Sequence, residues 1–137
     1  MDPVFVVDPK VAQIAAAYAS DAVNLAAKVF QTKLDFSADS VARLETILTK
    51  ARAQMAAAKP PAETIWTVAK GFGSYVGEVL RKQHGGEWGT ISDEGESFPG
   101  LRLKDGSLIW PWKRVHQRLV EGDENNVWHY YQVLVKG

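Results

Sequence analysis

At 137 residues, with no cysteine and 16 basic against 16 acidic side chains, the sequence excludes several protein classes at once. Disulfides, thiolate metal centres and a cysteine nucleophile are ruled out. The charges are evenly spread, 7 basic and 6 acidic in positions 1–60 and 9 and 10 thereafter, which argues against a nucleic-acid-binding face, since that affinity rests on neutralising phosphates.

A 46% hydrophobic and 23% charged composition fits one globular domain spanning 1–137. The first residues, Met1-Asp2-Pro3-Val4-Phe5-Val6-Val7-Asp8, carry no basic leader and too short an apolar run for a secretion signal. No window approaches the ~18–20 apolar residues of a membrane span. These features lead us to expect a cytoplasmic protein with no membrane association.

Asp8-Pro9 marks a helix start, the carboxylate accepting from free N–H groups and Pro losing nothing in the first turn. Val11, Ile14, Ala15, Tyr18, Leu25 and Val29 follow at roughly helical spacing, with Ser20-Asp21 as a place where a break would be no surprise. Ser37 is the expected cap of a second helix, with Phe36 and Val41 at hydrophobic-staple spacing. Val41, Leu44, Ile47, Leu48, Ala51 and Met55 form its apolar stripe, and Lys59-Pro60-Pro61 stops it.

A third, central helix begins near Pro61 and shows a broad apolar face, Ile65, Val68, Ala69, Phe72, Tyr75, Val76, Val79 and Leu80. Gly71, Gly73 and Gly77 each cost about 1 kcal/mol relative to Ala inside a helix. Ala69, Gly73 and Gly77 share one strip, which predicts the close approach of another backbone there. Gly85 ends the helix.

From Glu87 the period shifts to that of strands: Glu87–Ile91 as a strand, Ser92–Ser97 as a polar loop, and a hairpin around Asp105-Gly106 with a type I′ turn. Pro111 opens a short helix over Trp112–Val120, stopped by Gly122. Asp123 is the expected cap of a final helix, with Val133-Leu134-Val135 as a strand in the alternative. The fold class is therefore α+β: three N-terminal helices (about 9–84) on a small, mostly antiparallel sheet in a hairpin-containing part (about 87–111), with short C-terminal helices (about 111–135).

No catalytic set is legible. Gly71, Gly73 and Gly77 lie in a helical pattern with the wrong spacing for a phosphate loop. His84, His116 and His129 are too scattered for a metal motif, so neither metal nor cofactor is expected. Glu78, beside the apolar face of the central helix, is the one carboxylate placed for acid–base work; the alternative is a solvent-facing glutamate or a structural ion pair with Arg114 or Arg118. Trp88, Trp110 and Trp112 either fill the core or build a binding surface, with Lys113, Arg114 and Arg118 as a modest basic face beside them.

The run Tyr75-Val76-Gly77-Glu78-Val79-Leu80, followed by Gly85-Gly86-Glu87-Trp88, resembles the middle of a small bacterial domain of unknown function. Pro111, Val115, Arg118, Leu119 and Gly122 match that group's Pro…Val-x-x-Arg-Leu-x-x-Gly tail, and Leu34-Asp35-Phe36-Ser37 with Ser40, Val41 and Leu44 is similar to its helix start. The resemblance spans roughly 25–135, rests on packing and turn residues, and carries over no catalytic residue. The functional expectation is a non-catalytic protein-binding module using Glu78, Trp88, Trp110, Trp112, Arg114 and Arg118, with another protein as partner. A toxin-neutralising immunity protein is its most specific version. A small-ligand sensor and an enzyme using Glu78 are the alternatives.

Overall fold

The structure is a computed structural model, described here for residues 2–136. It contains a strand β1 (Val4–Val7), helices α1 (Pro9–Phe30), α2 (Ala38–Ala58) and α3 (Ala62–His84), and strands β2 (Glu87–Asp93), β3 (Glu96–Arg102) and β4 (Leu108–Ile109). Helix α4 (Pro111–Glu121), a 3-10 turn (Asp123–Asn125) and helix α5 (Val127–Lys136) complete it. The sheet is an antiparallel meander in the order β1-β2-β3-β4. The α+β class, with three helices, then the sheet, then short helices, is as the sequence predicts.

Asp8 caps α1 by accepting from the Lys10 N–H at 3.0 Å. The helix runs unbroken through Ser20-Asp21, where the sequence would have allowed a break. Its buried face is Val11, Ala15, Ala19, Ala22, Ala26 and Phe30, so small side chains let α1 lie close along α3. Ile14 and Val29, expected in the apolar stripe, are instead 43% and 49% exposed. They lie off the alanine face and flank the contact.

Helix α2 follows its predicted start and stop. Ser37 accepts from the Ser40 N–H, and Lys59 closes the helix in the left-handed region by donating to the Met55 carbonyl. Val41, Leu44, Ile47, Leu48 and Ala51 are buried.

Helix α3 is the centre of the molecule, with the nine consecutive residues Phe72–Leu80, and Ala69 before them, buried. A Cβ on Gly73 would lie 2.7 Å from the Pro111 carbonyl oxygen and from the Trp112 Cα, and one on Gly77 would overlap the Trp88 ring. The small-residue strip thus seats the start of α4 at Gly73, the backbone approach predicted from sequence, while at Gly77 the neighbour is a side chain, the indole of β2.

Three details of the β region differ from expectation. Strand β1 has no counterpart in the predicted elements; it pairs with β2 from Val4 opposite Ser92 to Val7 opposite Gly89. The expected loop Ser92–Ser97 is a continuous hairpin, turning at Glu94 (φ 51°) and Gly95 (φ 85°), the two positive dihedrals of a type I′ connection. The Asp105-Gly106 hairpin exists, but only Gly106 has positive φ (90°). There Gly106 N–H donates to Leu103 O and Leu103 N–H donates to Ser107 O, the longer loop with a single left-handed glycine.

At the C-terminal end, Asp123 opens the 3-10 turn and does not cap α5. Asn126 does so, accepting from the His129 N–H at 2.9 Å. Val133–Val135 are helical, which removes the strand alternative.

Candidate functional site

Glu78 sits on α3, 4% exposed, with both carboxylate oxygens engaged. Arg81 donates from Nε to Oε2 at 2.6 Å and from Nη2 to Oε1 at 3.2 Å. Trp88 donates from Nε1 to Oε2 at 3.0 Å. Burial pushes this carboxyl up, but the hydrogen bonds from Arg81 and Trp88, with the charges of Arg81 and Lys82, outweigh it and hold the pKa below its ordinary 4.5. A general acid or base working near neutrality needs the opposite shift.

The expected partners are therefore corrected. Arg81, one turn along the same helix, takes the role given to Arg114 or Arg118. Arg118 is 1% exposed and belongs to no basic surface. Its guanidinium grips Glu45 through Nε (3.0 Å to each oxygen) and Nη2 (2.7 Å), and donates to Thr49 Oγ1 at 2.8 Å. Glu45 also accepts from the Val127 N–H at 2.9 Å, so one buried cluster ties α2, α4 and α5 together. Arg114 lies over the Tyr130 ring, 4.3 Å from its centroid.

Of the three tryptophans singled out, Trp88 and Trp112 are core residues, 2% and 7% exposed. Both satisfy their N–H internally, Trp112 by donating to Ser74 Oγ at 2.7 Å. Trp110 is half-buried. The structure thus divides the six expected site residues: Glu78 and Trp88 form one internal pair, Arg118 another with Glu45, Arg114 packs over Tyr130, and Trp110 joins a surface cluster that buried Trp112 supports from below.

That cluster is largely invisible in the sequence, because it is assembled from α1, α3, β3 and α4. Trp66 stacks on His116 with centroids 3.8 Å apart and planes 11° apart. Phe98 lies 6.0 Å from Trp66 and meets Trp112 edge-on at 6.0 Å. Tyr18 closes the row, 5.8 Å from Trp112. Lys113 Nζ sits over Phe98 (4.6 Å) and Trp110 (5.9 Å), and Lys70 Nζ over Trp112 (5.6 Å). Except for Trp112, these rings are half-buried. The one readable signal was the i, i+4 spacing of Trp112 and His116 on the short helix.

A hollow opens at each end of the row. One, about 260 Å³, is lined by Ile91, Asp93, Glu94, Glu96, Phe98, Trp110 and Lys113. The other, about 370 Å³, is a cleft between α1 and α3. Among the described residues, no three His, Cys, Asp or Glu side chains converge on a metal position, and no helix is long and apolar enough to cross a membrane.

Residues 48–131 match the family described as a domain of unknown function (DUF3806). The chain belongs to this family. The DUF3806 segment contains Trp66, Phe98, Trp110, Trp112, Lys113 and His116, the whole ring row apart from Tyr18. No curated protein matches the chain. Among solved structures, a crystal structure from Bacteroides thetaiotaomicron VPI-5482, at 1.50 Å resolution, is similar with a TM-score of 0.69 at 15% identity. It covers 98% of this chain, which spans 48% of that protein's length. At that identity the likeness concerns the fold, and it extends beyond the DUF3806 segment to β1 and α1.

Proposed function

We propose that this DUF3806 protein is a non-catalytic protein-binding module of the bacterial cytoplasm, and that its partner docks on the ring row and the acid-rimmed hollow beside it. The observation that carries this reading is the set of rings left half-buried on one side, Trp66, Phe98, Trp110 and His116, with Lys113 held among them. Large aromatic rings in partly desolvated positions are the usual anchors of an interface, because they bury much area at little cost in side-chain entropy. Asp93, Glu94 and Glu96 at the adjoining hairpin tip favour a partner that presents cationic groups. A toxin-neutralising immunity protein fits that description, its acidic tip covering a basic catalytic surface.

The experiment is to purify the product of the adjacent gene and titrate it calorimetrically against wild type and the Trp66→Ala and Lys113→Glu variants. Loss of the Trp66 anchor should weaken binding by about 2 kcal/mol, roughly thirtyfold. Charge reversal at Lys113 should alter affinity while the melting temperature holds. A partner that binds both variants as tightly as wild type would overturn the assignment of this face.

A further inference from the structure

Two of the three glycines in α3 have packing reasons: the Pro111–Trp112 backbone leaves no room for a side chain at Gly73, nor the Trp88 ring at Gly77. Gly71 has none. A Cβ there would meet only the Tyr18 carbonyl oxygen at 3.8 Å and the Ala22 Cβ at 3.9 Å, ordinary contact distances. The helix nevertheless carries a residue that disfavours helix formation at this position. What Gly71 does contribute is space, since it lines the 370 Å³ cleft between α1 and α3. That volume lies within the range of small-molecule sites.

The cleft has an apolar lining, including Leu25, Val68 and Phe72, and one charge from each helix: Asp21 from α1 and Lys70 from α3. Neither charge forms an ion pair with another described residue. A purely apolar occupant would partly desolvate both charges without compensation. An occupant with an apolar body, an ammonium for Asp21 and a carboxylate for Lys70 satisfies all three features of the lining. We propose that this cleft is a binding site for a large apolar α-amino acid, kept open by Gly71. The site adjoins the partner face, since Tyr18 lines the cleft and closes the ring row and Lys70 lies over Trp112.

Isothermal titration of the full chain with L-leucine and L-phenylalanine, up to about 10 mM, tests this, with thermal melting in parallel, because a ligand of the folded state raises its melting temperature. Two half-ligands, 4-methylpentanoate and 3-methylbutylamine, serve as probes of the charges. At least one amino acid should bind, and each half-ligand should bind roughly tenfold more weakly, about the loss expected for one charge-assisted contact. Gly71→Leu should abolish binding by filling the cleft. Gly71→Ala should raise the melting temperature by about 3 °C, because no packing opposes the better helix former. Asp21→Asn and Lys70→Met should each reduce binding about tenfold with the fold intact. No binding by either amino acid, equal binding of 4-methylpentanoate and leucine, or unchanged binding by a folded Gly71→Leu protein would each overturn the proposal.

Discussion

At Glu78 a single side chain decides between chemistry and architecture, and its surroundings favour architecture. The carboxylate links successive elements, taking Arg81 from its own helix and the Trp88 indole from β2. Because its pKa is depressed in the folded state, its contribution to stability is complete above the unfolded carboxyl pKa and is lost as pH falls through the folded value. Glu78→Gln should therefore destabilise the protein by about 1–2 kcal/mol at neutral pH, less than removing the side chain, since an acceptor for Trp88 remains. The deficit should shrink as pH falls through the ordinary carboxyl range and vanish only below the depressed folded value, where the wild-type carboxyl is also protonated. Urea unfolding of both proteins across pH 2.5–7, a span of about four units around the carboxyl range, measures this. A deficit independent of pH would contradict the charged role. The place of Glu78 beside the apolar face was legible in the sequence, but its burial and its partner were not. The i, i+3 spacing to Arg81 was available on the same helix, whereas Arg118, the candidate chosen across the fold, turns to Glu45, 73 residues away.

Whole elements follow from local signals wherever a cap, a glycine or a proline fixes them. Ser37, Lys59-Pro60-Pro61, Gly85 and Pro111 place helix boundaries that the structure keeps. Gly73 is the sharpest case, because its sign can be predicted. Ala is a better helix former by about 1 kcal/mol, yet Gly73→Ala should destabilise, since its Cβ would press on the Pro111 backbone, which cannot swing aside as a side chain can. Gly73→Leu should cost more again, beyond the ~1–3 kcal/mol typical of overpacking. Thermal unfolding of the two variants checks the order; a melting temperature raised by Gly73→Ala would refute the close approach. Strand β1 escaped the sequence reading for the complementary reason. Val4, Val6 and Val7 are 57%, 59% and 48% exposed, so their run has no inward–outward alternation to announce a strand. Its register comes from β2, far along the chain. The ring row was equally hidden, because Tyr18, Trp66, Phe98 and Trp112 meet only through tertiary packing.

On the scale of the molecule, the C-terminal helices are held by charge as well as by apolar contact. Arg118, almost wholly buried, and Glu45, mostly buried, neutralise one another, and Glu45 spends a further lone pair on the first N–H of α5. Val127 and Tyr131 supply the apolar part of that docking. Removing one charge leaves the other buried without a partner, whereas removing both avoids that penalty. Glu45→Gln should thus destabilise by about 3–5 kcal/mol, and Arg118→Met by a similar amount. The double variant Glu45→Gln/Arg118→Met should cost less than the sum by about 1–3 kcal/mol. Because Glu45, and not Arg118, accepts from the backbone of α5, Glu45→Gln should also accelerate amide exchange in 127–136 more than Arg118→Met does at equal global stability. Urea unfolding gives the cycle, and native-state hydrogen exchange gives the local effect. Strict additivity, with equal exchange in α5 for both single variants, would mean that the cluster acts as two unrelated contacts. A coupled cycle with α5 opening first would make Glu45 the residue through which the second and fourth helices hold the end of the fold.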